Sequence, residues 1–542
     1  MSMHSWASTV PPLQEELHFG DCRLLCFPDR PHSVYALLTA AALRRSEGDG
    51  IVDGNLRLSW TEVRERADDL AAGLAGSGLK AGDRVALVLG NSADFVIIVF
   101  ALARLGVIGV PIGTRSQPPE IAYALEDSGA CAVFVDADMV DRLPASGALP
   151  QLRLRVCPSP RPGCIALEQL AAKGRACGLI TAHQGHEDDA AFILYTSGTT
   201  GKPKGAILTQ LGVIHSTMHF EVCMGLGPQD RSIITVPMSH VTGLIALVLT
   251  IVRCAATLIV MPAFKAQTFL QLAARERMSY TLMVPAMYNL CLLQPDFSRQ
   301  ALQDWRIGAY GGAPMPPATI EALADKLPGL ELMNVYGATE TTSPATMMPP
   351  GTTASRGDCV GVPVPCAELY IAGPDGQPLQ GGETGEIWIR GPMVVKGYWQ
   401  NPQATADGFT DGFWHSGDIG TMDADGFVCV LDRIKDVINR GGFKIYSSEV
   451  ESVLATQPDV IESAIVGRPC PVLGERVHAF VVVRGDVTAE ALKAFCATRL
   501  SDYKVPETFT LGTQALARNA NGKLLKRQMR EAAAQVANVT HG

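Results

Sequence analysis

Residues Tyr195 to Gly205 read YTSGTTGKPKG, after the apolar run AAFILY (Ala190 to Tyr195) and before TQLGVIHSTMHF (Thr209 to Phe220). Glycines at 198, 201 and 205 let a backbone approach an anion. Thr196, Ser197, Thr199 and Thr200 bring hydroxyl donors, and Lys202 and Lys204 bring positive charge. A strand-like run, a glycine-rich turn and a helical pattern in that order suit a βα unit that holds a polyphosphate. The stretch is not a Walker A loop, which needs four residues between its glycines and Ser or Thr after the lysine. Here two residues intervene and Pro203 follows Lys202. Taken alone it also fits a generic Gly/Thr-rich turn, so the surrounding chain has to decide.

Around it, apolar strand-like runs alternate with helical patterns. Arg84 to Leu89 precedes a helix around Ser92 to Leu105, Ala130 to Val135 reads as a strand, and Ala256 to Val260 precedes a helix from Ala266 to Arg277. Such alternation predicts βαβ units and a largely parallel sheet. Ala367 to Ile389 differs: ELYIA, GPDGQPL and GEIWIRG read as strand, turn and strand with period-2 alternation, a small β-rich subdomain. A boundary is expected at Asp432. Beyond it YSSEVESVLATQ reads as a helix opened by serines with Glu449 placed to cap, AIVGRP and HAFVVVRG as strands, and AEALKAFCATRL as a helix. The fold class is therefore α/β: a multi-subdomain N-terminal region, 1–431, with βαβ sheets and a small β-rich subdomain, followed by a small α+β domain, 432–542, on a hinge.

The 542 residues, 47% hydrophobic and 18% charged, describe an ordinary globular chain with a formal charge of -9, which gives no reason to expect nucleic acid. Lys and Arg outnumber Asp and Glu by fifteen to eleven from Arg433 onward, against 30 to 43 before it, and a basic terminal module suits polyphosphate ligands. The apolar stretches Asp94 to Ile112 and Val241 to Met261 carry Arg104 and Arg253 and are broken by glycines. They are expected to be helix-then-strand inside a core, with no transmembrane segment. The fourteen cysteines show no CxxC pair and MSMHSWASTV shows no secretory signal, so reduced, mostly buried thiols and a cytoplasmic setting are expected. Cys22 and Cys26 with His18 lack a second ligand pair, and no structural zinc is expected.

With these residues in view, YTSGTTGKPKG resembles the signature loop of the acyl-adenylate-forming (AMP-binding) superfamily, which includes acyl-CoA synthetases, peptide-synthetase adenylation domains and luciferases. Six further segments match in order over about residues 30 to 530: PMSH (Pro237 to His240), GGAP (Gly311 to Pro314), NVYGATET (Asn334 to Thr341), WHSGDIG (Trp414 to Gly420), DRIKDVINRGG (Asp432 to Gly442) and NGKLLKR (Asn521 to Arg527). The resemblance implies that Thr196, Ser197, Gly198, Thr199, Thr200, Gly201, Lys202 and Lys204 cradle the β- and γ-phosphates of ATP. It implies that Gly311, Gly312, Ala313 and Pro314 wall the adenine, with Asn334, Tyr336, Gly337 and Ala338 beside it and Tyr336 stacked on it. Glu340 holds Mg²⁺ and Thr339 donates to the α-phosphate. Asp418 accepts the ribose hydroxyls with Arg433 nearby, Asp432 is the hinge, and Lys523 is the adenylation lysine. Gly441 and Gly442 admit the pantetheine arm of coenzyme A. Met238, His240, Val241, Thr242, Ala309, Gly311 and Gly337 line the acyl pocket. Departures are mild: Ala517 stands where the family often has proline, Ser416 replaces a common threonine, and Phe443-Lys444 replaces a common Glu-Asn.

The resemblance implies an ATP-dependent acid–thiol ligase that makes an acyl-AMP with release of pyrophosphate and passes the acyl group to coenzyme A. Its partners are a small carboxylic acid, ATP and CoA; whether it forms a homodimer stays open. Three alternatives stand beside it: loading of a carrier protein's phosphopantetheine, which no carrier segment after His541 supports; a luciferase-like oxygenase, for which no feature speaks; and a non-catalytic nucleotide sensor, which would be expected to have lost Lys523 or Glu340. The pocket positions suit an aromatic or a medium-to-long-chain aliphatic acid, and glycines at 311 and 337 suggest an open floor.

Overall fold

The computed structural model describes residues 6, 10–196, 202–518 and 524–539. Of the expected site, Ser197 to Gly201 and Lys523 lie outside the described residues. A large N-terminal region built on two sheets of mainly parallel strands carries a small antiparallel sheet, and a smaller α+β domain follows. The first sheet has seven strands. Its middle strands Ala190–Thr196, Ile108–Pro111, Arg84–Val88 and Ala132–Val135 run parallel, each bounded by apolar helices such as Ala93–Leu105. The second has nine strands, in which Arg231–Ile234, Tyr280–Met283, Ile307–Gly311 and Glu331–Ala338 are parallel neighbours.

Both apolar stretches are helix followed by strand, as their glycines and arginines imply. Ala93–Leu105 leads to Ile108–Pro111, and a helical segment from Thr242 to Arg253 leads to Thr257–Val260. Arg104 is buried against Asp68 at 2.9 Å and Arg253 meets Glu221 at 2.8 Å, so each charge is paired inside the fold. Among the described residues no helix is long and apolar enough to cross a membrane. Within the second stretch, Thr242–Leu249 form a π-helix, which periodicity did not reveal.

The β-rich subdomain is as read: Glu368–Ala372 pairs antiparallel with Gly385–Arg390, which pairs with Phe413–Met422. Val428–Arg433 closes this sheet, and Ile438–Arg440 begins the next, a five-stranded sheet of the terminal domain. The helix Ser447–Ala455 is present, but Glu449 does not cap it. Its carboxylate is held by the Lys504 ammonium at 2.7 Å, and the backbone N–H of Ser447 donates to the Asp432 carboxylate instead.

The expectation of uniformly reduced cysteines is corrected at one place. Val360 N–H donates to Val428 O at 2.7 Å and Val428 N–H to Gly361 O at 2.8 Å, which sets Cys359 beside Cys429, and the two form a disulfide. The other twelve cysteines are free. Near the N-terminus Glu16, His18 and Cys26 converge, but Arg30 holds Glu16 through two bonds and Asp188 holds His18 at 2.8 Å.

Candidate active site

In a sheet of parallel strands, ligands gather where the strands end at their carboxyl edge, because the loops there converge and carry free backbone groups. Three expected segments leave the nine-stranded sheet at that edge: PMSH after Arg231–Ile234, GGAP after Ile307–Gly311, and YGATE at the end of Glu331–Ala338; a fourth follows the strand Ala190–Thr196 of the seven-stranded sheet. The strand Lys204–Thr209 pairs antiparallel with Ala190–Thr196, Thr196 opposite Lys204, so the two strands that flank the glycine-rich segment form a hairpin, and Ala190–Thr196 does not lead directly into a helix. The helix Gln210–Met224 starts only after that strand, capped by Thr209, whose hydroxyl accepts from Gly212 N–H at 3.1 Å.

The two sheets meet at Glu340. Its carboxylate, 9% exposed, accepts from the Thr196 hydroxyl at 3.2 Å and from the Tyr398 hydroxyl at 3.1 Å, and its carbonyl accepts from Val395 N–H at 2.8 Å. Thr339 begins the short 3-10 turn Thr339–Thr341 that carries it. The turn ends in two strained residues, Thr342 at φ 51° and Ser343 at φ 99°, a backbone state that non-glycine residues hold only where the surroundings impose it. Lys204 lies with its ammonium 5.0 Å above the Tyr398 ring and Lys202 5.9 Å from the Tyr123 ring. The Thr196 and Tyr398 hydroxyls, the Lys204 ammonium and the Glu340 carboxylate are thus gathered at one mouth. Hard oxygen donors beside cations are the chemistry that a magnesium-bound polyphosphate requires, so the residues fit that ligand.

The second cluster sits one step back along the same strand. The Tyr336 hydroxyl donates to Asp418 at 2.7 Å, and Arg433 Nε approaches the other carboxylate oxygen at 3.3 Å. Burial and the Asp418 charge push the Tyr336 hydroxyl well above the ordinary phenol range, so it stays a donor and fixes the ring. Gly312, at φ 77°, turns the exposed loop through Ala313 and Pro314. The Asn334 amide donates to Cys359 O at 3.5 Å. Asp432 is buried, with its carboxylate accepting from Arg433 N–H at 2.7 Å as well as from Ser447.

Among the residues expected to line an acyl pocket, Met238 and Ala309 are buried, and His240, Val241 and Thr242 are half-buried where the π-helix begins. Asn91 secures this loop, accepting from Met238 N–H at 2.8 Å while its amide donates to Val236 O and Met261 O, each at 3.1 Å. The glycines have a different reason from the one the sequence suggested. A Cβ on Gly311 would stand 2.4 Å from Val335 O, and one on Gly337 only 1.7 Å from Ser343 O. Glycine is required at both by the neighbouring backbone, so neither reports an open pocket floor. Gly441 and Gly442, at φ 61° and 94°, form the turn of the hairpin Ile438–Arg440 to Phe443–Ile445, which by itself calls for glycine. An open cleft of about 880 Å³ lies elsewhere, between the β-rich subdomain and the terminal domain, with Tyr370, Trp388, Phe413, Lys444 and Tyr446 on its walls.

Tyr398 is the residue that sequence reading missed. It sits in a turn with no flanking periodicity, and only the tertiary pairing of residues 397–399 with the phosphate hairpin brings it to Glu340.

The profile of the AMP-binding enzyme family matches residues 37–399, and that of the AMP-binding enzyme C-terminal domain matches 449–523. The long-chain-fatty-acid–CoA ligase FadD13 of Mycobacterium tuberculosis is 33% identical over 483 residues, 88% of this chain and 93% of that protein. Feruloyl-CoA synthase of an Amycolatopsis species is 34% identical over 480 residues, 88% of this chain and 94% of that protein. Among solved structures, o-succinylbenzoate CoA synthetase (MenE) of Bacillus subtilis superposes with a TM-score of 0.82 in complex with the acyl-adenylate OSB-AMP, at 29% identity over 93% of this chain and 98% of that one. Its complex with ATP and a magnesium ion gives 0.80, at 29% identity over 91% and 98%.

Proposed function

The chain belongs to the AMP-binding enzyme family, and from that premise we propose that it is an acid–CoA ligase that works through an acyl-adenylate. The observation that carries the reading is the meeting of Thr196, Lys204 and Glu340 at one mouth, with Tyr336 on the strand behind it bonded to Asp418 of the small antiparallel sheet. The relatives and the solved structures are named for CoA, which favours free coenzyme A over a carrier protein as acceptor.

A carboxylate is a poor electrophile, so the acid attacks the α-phosphorus of ATP and expels pyrophosphate. Asp418 holds the ribose with Arg433 alongside, Tyr336 packs on the adenine, and the loop hydroxyls with Lys202 and Lys204 offset charge on the β- and γ-phosphates. Thr339 donates to the α-phosphate, and Lys523 adds charge there during this step. Glu340 is the residue to hold Mg²⁺, which when bound neutralises phosphate charge. The terminal domain, residues 432–542, then turns about Asp432, bringing the Gly441–Gly442 turn toward the mouth so that the thiol of coenzyme A displaces AMP. His240 lies between the acid and the thiol path.

Apart from the His240 imidazole, none of the acyl-pocket positions and no residue of the π-helix Thr242–Leu249 carries an ionisable side chain. That supports an uncharged acyl tail, aromatic or medium-to-long aliphatic, over a second carboxylate, which would need a cation beside it. The test is pyrophosphate release across a panel of acids with CoA present. Cinnamic, benzoic and C8 to C16 acids are expected to outrun malonate and succinate, and a preference for dicarboxylic acids would refute the pocket reading.

A further inference from the structure

Residues Gly397 to Trp399 follow the β-rich subdomain's second strand by a short turn and run beside the phosphate hairpin. Tyr398 bridges to Ala206, Trp399 N–H donates to Gly205 O at 2.7 Å, and Ile207 N–H donates to Gly397 O at 3.1 Å. The hairpin strand Lys204–Thr209 is thereby flanked on both sides, by Ala190–Thr196 and by this segment. The segment's own place is fixed in turn. Tyr398 N–H donates to the Thr405 hydroxyl at 2.9 Å, and the Tyr398 ring meets Phe409 edge-on at 6.0 Å. Gly397, at φ 143°, has no room for a Cβ, which would stand 2.6 Å from Thr405 Cγ2.

The outcome is a phenol directed at the mouth of the site. Its hydroxyl donates to Glu340 Oε1 at 3.1 Å, the oxygen that also accepts from Thr196, and its ring faces the Lys204 ammonium at 5.0 Å. We propose that Tyr398 is a positioning residue that sets the Glu340 carboxylate for a divalent cation and the Lys204 ammonium for the phosphates bound to that cation, a role that rests on the ATP-binding reading above. A small hard cation demands near-ideal geometry from a carboxylate ligand, and a carboxylate whose outer hydrogen bonds are removed typically loses ten- to a hundredfold in metal affinity.

Tyr398→Phe removes the hydroxyl and keeps the ring over Lys204; Tyr398→Leu removes both. ATP binding to the full chain is titrated by calorimetry at increasing Mg²⁺, and the thermal unfolding midpoint of each variant is measured alongside. Tyr398→Phe is expected to raise the Mg²⁺ concentration for half-maximal tightening of ATP by about tenfold or more, with ATP affinity in EDTA unchanged. Tyr398→Leu is expected to weaken ATP in EDTA as well, because Lys204 loses its aromatic face. A Tyr398→Phe variant whose Mg²⁺ dependence matches the wild type within twofold, whatever its melting temperature, overturns the proposal alone. A wild type that binds ATP without regard to Mg²⁺ overturns both this proposal and the assignment of Glu340.

Discussion

Replacing Asp418 by alanine separates two roles that one carboxylate plays in this structure. Oδ2 accepts from the Tyr336 hydroxyl at 2.7 Å and Oδ1 faces Arg433 at 3.3 Å, in a group only 8% exposed. If the same oxygens accept the two ribose hydroxyls, each bond to the charged group is worth about 1.5 to 3 kcal/mol, or roughly 3 to 6 kcal/mol for the pair. Because both oxygens already have protein partners that the ribose must share or displace, the lower end applies, an ATP dissociation constant raised by roughly a hundredfold. The substitution also leaves the Tyr336 hydroxyl without its acceptor, at a cost to folding of about 1 to 3 kcal/mol. The double variant Asp418→Ala/Tyr336→Phe removes both partners and is expected to recover most of the lost thermal stability while ATP stays weak. Calorimetry for ATP and a melting curve on all three variants check this. An unchanged dissociation constant in Asp418→Ala, or one restored in the double variant, would refute the ribose assignment, the second result showing that disorder around Tyr336 caused the loss.

Three further outcomes follow from the same reasoning. Lys523→Ala is expected to slow adenylation by roughly 10² to 10³, as for loss of one transition-state charge contact, yet to make thioester from presynthesised acyl-adenylate and CoA at close to the wild-type rate; equal losses in both half-reactions would rule out domain alternation about Asp432. Gly337→Ala forces a Cβ to within 1.7 Å of Ser343 O and should cost about 3 kcal/mol or more of stability, read as a lowered melting temperature, whereas a fully stable variant would contradict the packing at this turn. Burial holds the His215 imidazole down at about 4, below its unfolded range, so the unfolded chain binds the extra proton first and stability falls as pH drops from about 6.5 toward 4. His215→Gln should flatten that part of the stability-against-pH curve, and an unchanged slope would show that His215 does not contribute to it.

What the sequence disclosed was local or repeated, and what it concealed depended on contacts far apart in the chain. Strand-to-helix alternation placed the parallel sheets, and period-2 alternation placed the strands Glu368–Ala372 and Gly385–Arg390. The loop segments PMSH, GGAP and YGATE were each visible as motifs, but that they leave parallel strands of one sheet at one edge is a property of sheet order, which no window of sequence contains. Tyr398 meets Glu340 across 58 residues, and Cys359 meets Cys429 across 70, so neither pairing leaves a periodic trace. The glycines taught a different lesson. Gly311 and Gly337 looked like space left for a substrate, and the structure gives the space to carbonyl oxygens of the protein itself. Glu449 was in the register of a capping box, yet Lys504 from another element offered it a stronger partner than the helix N-terminus did.

The decisive step is attack by the acid's own oxygen at the α-phosphorus of ATP. That oxygen becomes the bridge of the acyl-AMP and must leave with AMP when the thiol arrives. Incubating the enzyme with a carboxylic acid labelled with ¹⁸O in both oxygens, together with ATP, Mg²⁺ and CoA, therefore has a definite result by mass spectrometry. One ¹⁸O is predicted in the phosphate of AMP, with unlabelled pyrophosphate and one ¹⁸O retained in the acyl-CoA. Label in inorganic phosphate alongside ADP, or AMP with no label at all, would contradict the adenylate mechanism.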